Sequence, residues 1–293
     1  MRILTMSAAI AALFFATAAP AAPKEAKPAL WKLADSDTTI YLFGAIHALP
    51  AGYKWRDAKL DAAFKQADRL VVEAVVDRDP AKSSALLLGM GSAGTGLPPL
   101  IERVPEAKRP LLADLIARSK LPAAFLDGLE TWTAALMLVG VTFRDLGVEP
   151  SNGVERTLED EFKTAGKPIE GLETPQQQLG YFDAVSDQVQ REFLLTLLDD
   201  PKKAKLDFEK MLASWSKGNQ AEIAASFHEQ MELAPALLDI LLYKRNADWA
   251  EWAAKRLDQP GTDLVVVGAG HLAGEGSVLA LLKAKGYKVE RIQ

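Results

Sequence analysis

The chain has 293 residues, 49% of them hydrophobic and 25% charged, which is enough length and apolar content for a sizeable core. A formal charge of −5 offers no basic face, which argues against nucleic acid or a polybasic membrane surface as a partner. The chain has no cysteine, which excludes disulfides, thiolate zinc sites, iron–sulfur clusters and a cysteine nucleophile; any histidine chemistry must use His47, His228 or His271.

The opening MRILTMSAAIAALFFATAAPAAP combines a short positive start, an apolar stretch and small residues in an A-x-A arrangement. This is the grammar of a secretory leader, with cleavage expected after Ala21 or Ala22. The mature chain is then expected in the periplasm or secreted, with no stable membrane anchor. Residues 23–29 read as a tether and 30–293 as one α/β domain. Residues 31–33 and 38–43 read as strands around the turn Asp35-Ser36-Asp37. Residues 57–66 have helical spacing, and 69–76 (RLVVEAVV) form a buried strand by composition.

Gly89, Gly91 and Gly94 match the string G-x-G-x-x-G. No clear strand precedes them, and Pro98-Pro99 stands where a helix should open, so a loop over 86–100 is the better reading than a dinucleotide site. Residues 106–198 are mostly helical by pattern, interrupted by a short strand at 167–172 (KPIEGL), and 202–257 return to helix. The apolar AALMLVGVTF is too short and too flanked by charge to span a membrane. At the end come a buried strand over 263–268, a helix over 277–285 and an alternating strand over 287–292. The expected architecture is a mixed or parallel sheet built from both ends of the chain. A helical insertion over about 100–260 would act as its lid.

Two segments share one shape. Gly44-Ala45-Ile46-His47 follows the strand TTIYLF, and Gly268-Ala269-Gly270-His271 follows DLVVV. Open α/β sheets place ligands beyond the carboxyl ends of their strands, which is where both histidines stand. G-x-x-H is a common string, so coincidence and a shared site both remain open on these residues alone. Glu73 interrupts an apolar strand, where a carboxylate is costly unless paired or ligated; the alternative is a strand-edge residue facing water. Glu173 ends PIEGLET, suited either to catalysis or to a turn before the next helix. Glu275 reads as a first-turn helix residue, and His228 as an ordinary helix residue. Arg245 and Asn246 fall on a helix whose simplest reading is a solvated face.

Taken together, YLFGAIHALP, GVERTLEDEFKTAGKPIEGLETPQQQ, YKRNADW and VVVGAGHLAGEGSVLALLKAKGYKVERI resemble the TraB/GumN family, which belongs with the Tiki-type proteases. The resemblance runs over most of the mature chain. It implies an α/β fold and a site joining His47, His271 and Glu73, which in the Tiki branch looks like a divalent-metal protease centre. In the more distant erythromycin-esterase branch, similar residues suit hydrolysis without a firmly required metal. Arg245 would be the nearby cation.

Three expectations follow. In the first, His47, Glu73 and His271 bind one manganese, cobalt, zinc or iron ion in a hydrolase of peptide or protein substrates. Glu173 would then take the water proton and Arg245 steady the oxyanion. In the second, the same site is metal-free: His47 is the general base and Glu73 its orienter, attacking an ester or amide. In the third, the protein binds a peptide without cutting it, in the manner of a pheromone inhibitor.

Overall fold

The computed structural model describes residues 24–94, 96–148, 153–198, 200–230 and 235–293; the leader and its cleavage site lie outside them. In chain order, β1 (Lys24–Glu25), β2 (Leu30–Ala34), β3 (Thr38–Ala45) and β4 (Tyr53–Lys54) lead into α1 (Ala58–Gln66) and β5 (Arg69–Ala74). A first helical run comprises α2 (Pro80–Gly91), α3 (Arg109–Ser119), α4 (Ala123–Asp127), α5 (Thr131–Asp145) and α6 (Val154–Thr164). β6 (Ile169–Glu173) then returns to the sheet. A second run comprises α7 (Pro175–Asp183), α8 (Asp187–Thr196), α9 (Pro201–Ser216), α10 (Gln220–Gln230), α11 (Pro235–Leu238) and α12 (Arg245–Arg256). The chain closes with β7 (Gly261–Gly268), α13 (Val278–Ala284) and β8 (Val289–Arg291).

Six strands form a mixed sheet in the order β6-β5-β7-β3-β2-β8. β6, β5, β7 and β3 are mutually parallel, and β2 runs antiparallel to both of its neighbours. The central strands are apolar on both faces, as parallel strands covered on both sides must be. Alternate residues serve two cores. Tyr41, Phe43, Leu70, Val72, Leu264 and Val266 pack with residues of α1, α6 and α9. Ile40, Leu42, Val71, Val265 and Val267 pack with residues of α12 and α13. A third core, with Leu112, Leu138 and Leu194, lies among the helices.

Several expectations are corrected. Residues 24–25 pair with β4, and Ala26 is buried, so this stretch is tied into the fold rather than a free tether. Gly89 and Gly91 lie within α2, because Asp79 caps that helix and Pro80 opens it; the loop begins only at Ser92. β6 joins the sheet edge, so the insertion is two helical runs rather than one lid. Glu275 lies in the turn before α13, whose cap is Ser277. No described helix is long and apolar enough to cross a membrane.

Candidate functional site

The carboxyl ends of the four parallel strands meet at one place. β3 runs out towards His47, β7 ends at Gly268 before His271, and β5 and β6 carry Glu73 and Glu173 at or near their ends. On β5, Glu73 shares a face with Val71, whose side chain packs in the core of α12. α12 presents a buried stripe of Arg245, Asn246, Trp249, Ala250 and Ala253 to that face. The structure thus brings His47, Glu73, Glu173, Arg245 and His271 together.

Arg245 is the hub. Its side chain is 8% exposed, and all five of its N–H groups are engaged. Nε donates to Glu173 Oε1 at 2.9 Å, and Nη2 donates to Glu73 Oε2 at 2.7 Å and to Glu173 Oε2 at 3.0 Å. Nη1 donates to the Leu241 carbonyl at 3.0 Å and to His271 Nε2 at 3.3 Å. A π-helical turn, Asp239–Lys244, immediately precedes α12 and supplies that carbonyl. The guanidinium also stacks over Trp249, 4.6 Å from the ring centroid.

Glu173 is saturated as an acceptor. Besides Arg245 it takes the Trp249 Nε1 hydrogen at 3.0 Å and the Tyr181 hydroxyl hydrogen at 3.3 Å. The turn role falls to its neighbour: Thr174 caps α7 in a capping box. Glu73 accepts from the Gly268 amide at 2.7 Å and from Gln178 at 3.3 Å. Burial acts to raise the Glu73 carboxyl, but the surrounding positive groups and the Gly268 amide outweigh it and hold it well below the ordinary carboxylate range.

The two imidazoles differ in state. Asn246 donates Nδ2–H to the Gly276 carbonyl, which leaves its Oδ1 facing His271 Nδ1 at 2.6 Å. Nδ1 therefore carries the proton. Arginine cannot accept, so His271 Nε2 is the acceptor from Arg245 and the ring is neutral. Burial agrees, pushing the His271 pKa down to about 3. His47, with 61% of its side chain exposed, opens the site to solvent, and its Nδ1 lies 2.7 Å from Glu155 Oε1. This is an ion pair without an aligned hydrogen bond, since Glu155 Oε1 finds no donor. The Glu155 charge raises the His47 pKa to about 9 against the opposing pull of desolvation. The imidazole's exposure lets water screen part of this effect. Both rings turn Nε2 towards the same oxygen, Glu73 Oε1, at 3.8 Å from His47 and 3.7 Å from His271.

Gly268 makes this approach possible. A Cβ there would lie 3.0 Å from His47 Nε2 and 3.2 Å from Glu73 Oε1. Gly268→Ala is expected to leave the sheet intact but turn His47 away from Glu73. Proton NMR should then show the His47 pKa falling only modestly from about 9, because Glu73 is a minor cause of the rise and Glu155 remains.

Sequence reasoning passed over Glu155, Gln178, Tyr181 and Trp249. Glu155 had a weak signal: it stands in the first turn of α6 beside the buried Val154, rather than opposite the apolar stripe. Asn246, read as solvated, is fully buried, because the stripe of α12 turns it inward. His228 contacts the Tyr243 hydroxyl rather than this group.

A divalent ion suits the donor chemistry, but Arg245 stands where it would bind. The 3.7 and 3.8 Å separations are near those between ligands of one ion held at about 2.1 Å, but the Arg245 guanidinium already binds both Glu73 and His271. Among the described residues, no group of three or more His, Asp or Glu side chains is placed to hold a metal.

The chain belongs to the TraB/PrgY/gumN family, whose sequence model matches residues 29–291. It is similar to the uncharacterized protein YbaP of Escherichia coli K12 and to the protein of that name in Shigella flexneri. Each is 25% identical over 252 residues, covering 83% of this chain and 87% of the relative. No solved structure matches.

Proposed function

We propose that this protein is a hydrolase that activates water between two imidazoles to cut a peptide or ester bond. The observation that carries the reading is the convergence of His47 Nε2 and His271 Nε2 on Glu73 Oε1, with His271 hydrogen-bonded as the neutral tautomer and His47 paired to a carboxylate. Groups whose surroundings drive their protonation apart divide into acid and base. The two gaps to Glu73 are too long for direct hydrogen bonds, so a water lying in front of the three atoms would be within reach of each.

In this reading His271 Nε2 gives up its long 3.3 Å contact with Arg245 and takes a proton from water as the resulting hydroxide attacks the carbonyl carbon. His47, protonated and facing solvent, gives a proton to the departing nitrogen or oxygen. Glu73 holds the water, and Glu155 keeps His47 charged. Arg245 and Glu173 are positioning residues: Arg245 has no N–H left for an oxyanion, and Glu173 has no free lone pair directed at substrate. The site is expected to act in the periplasm or outside the cell, after removal of the leader read in the sequence.

A second reading places a divalent ion at the same three residues. The partners of the two Nδ1 atoms favour it, because Glu155 and Asn246 are the kind of outer group that orients a metal-bound histidine. As the residues stand Arg245 occupies the donors of Glu73 and His271, and no step is routed through an ion.

The test uses mature protein purified without chelator or histidine tag, assayed on quenched peptide and ester libraries with its metal content measured. Hydrolysis that survives metal removal and is lost in His47→Gln supports the acid–base reading. Hydrolysis that tracks about one bound ion per chain moves the assignment to the metal. A folded protein that cuts nothing with or without added manganese, cobalt, zinc or iron overturns both.

A further inference from the structure

β6 is the sheet edge nearest the site, and among the described residues no strand pairs with its outer side. Its register decides which backbone groups face outward. Leu70 pairs with Ile169, Val72 with Gly171 and Ala74 with Glu173, while the Leu70 amide bonds the Pro168 carbonyl. In a parallel ladder this alternation turns the groups of residues 168, 170 and 172 towards β5. The N–H and C=O of Ile169 and Gly171, and the N–H of Glu173, then face away from the sheet, while the Glu173 carbonyl turns back over Gly171.

The burial pattern agrees. Gly171 is exposed, and with no side chain its exposed surface is backbone. The Glu173 side chain is only 6% exposed although the residue as a whole is half-buried, so its accessible surface is backbone too. A Cβ on Gly171 would come within 2.6 Å of the Glu173 carbonyl, which keeps this stretch bare. Natural edges are usually guarded by charge, proline, a bulge or a cover. Here Glu170, 51% exposed, is drawn onto Arg69 at 3.1 Å, and Gly171 presents no side chain. The bare edge ends at Glu173, which holds Arg245 and through it Glu73. Beside it β5 runs out into Val75 and Val76, exposed by 45% and 51%.

We propose that this edge is the substrate cradle, and that the substrate is an extended polypeptide segment that adds to β6 as a further strand. The proposal rests on the hydrolase reading and names its substrate class. Only a polypeptide backbone offers alternating donors and acceptors at the strand repeat to match Ile169, Gly171 and Glu173. Strands lie about 4.8 Å apart, so a segment outside β6 is about 10 Å from β5, a gap that about three extended residues span. The pairing residues therefore sit about three or more positions from the bond that is cut. Val75 and Val76 offer apolar contacts to the intervening side chains. Dipeptides and small esters reach the site without the cradle and are poor substrates.

The test begins with a decapeptide cut by the full mature protein, taken from a quenched library and resynthesised with one backbone N-methyl group at each position in turn. The expected result is at least a tenfold fall in kcat/KM at alternate positions, about three or more residues to one side of the cut, with the positions between them unaffected. Tolerance at every such position, or equal cutting of dipeptides, overturns the cradle and leaves the hydrolase reading standing. A second measurement does not need turnover: amide hydrogen exchange of the protein with and without excess decapeptide library. Slowed exchange at Ile169, Gly171 and Glu173 supports the cradle, even if the peptides remain intact and the hydrolase reading fails. Unchanged exchange at all three with every peptide overturns it. So does protection that is already present without peptide and is lost on dilution of a dimer, because the edge would then be occupied by a second copy of the chain.

Discussion

Replacing Arg245 with methionine is expected to cost about 3–5 kcal/mol of stability at pH 7, because it leaves two buried carboxylates without their cation. The side chains of Glu73 and Glu173 are 13% and 6% exposed, and both are held by the same guanidinium. Once the guanidinium is removed, the carboxylates keep the weaker donors Gly268, Gln178, Trp249 and Tyr181, but their charges face each other. The penalty should shrink as pH falls and one carboxyl takes a proton. Arg245→Lys should recover little, because an ammonium cannot supply five donors in a planar fork. The double variant Arg245→Met with Glu173→Gln should regain part of the loss by removing one uncompensated charge. Urea unfolding at pH 7 and pH 5 reads all of these outcomes. A loss below about 1 kcal/mol at pH 7 would mean that the cluster is screened like a surface pair.

His47→Gln and His271→Gln are each expected to lower hydrolysis by roughly 10²–10⁴-fold, the usual contribution of a positioned acid or base. The pH profile carries the sharper test. Activity requires His47 protonated and His271 neutral, so it should fall as pH rises through about 9 and again as pH falls towards about 3. Glu155→Gln removes the largest cause of the raised His47 pKa and should move the alkaline limb down towards 6.5. If that limb stays in place, Glu155 is not the partner that keeps His47 charged.

The same two groups act oppositely on stability. His47 has a folded pKa above its unfolded value near 6.5, so its stabilising effect is complete below 6.5 and is lost as pH rises through about 9. His271 has a folded pKa below that value, so its effect is present above 6.5 and is lost as pH falls towards about 3. Melting curves of the two glutamine variants across this range should converge on the parent at opposite ends.

Much of this arrangement was legible before folding. The strands TTIYLF, RLVVEA and DLVVV declare themselves because burial on both faces demands unbroken apolar runs. A glutamate within such a run, and histidines just past two of the strand ends, mark one end of the sheet because parallel strands deliver their carboxyl ends together. Edges were less readable. The expected strand over 69–76 stops at Ala74, because its partner β6 ends at Glu173 and leaves Val75 and Val76 exposed. Lys24–Glu25 carries no apolar pattern, and only the backbone of β4 makes it a strand.

Local pattern thus settles where the central strands lie, which residue types stand at their ends, and the family to which the chain belongs. Each of those follows from burial and backbone geometry within a few neighbouring residues. The chemical state of each site residue depends on partners far away in the chain. Glu155 charges His47, and Asn246 selects the tautomer of His271. Arg245 changes from an apparent surface residue into the buried link between Glu73 and Glu173 only when α12 turns its stripe onto the sheet. Electrostatic and hydrogen-bonding energies depend on distance through space and on exclusion of water, and no local spacing in the sequence encodes either.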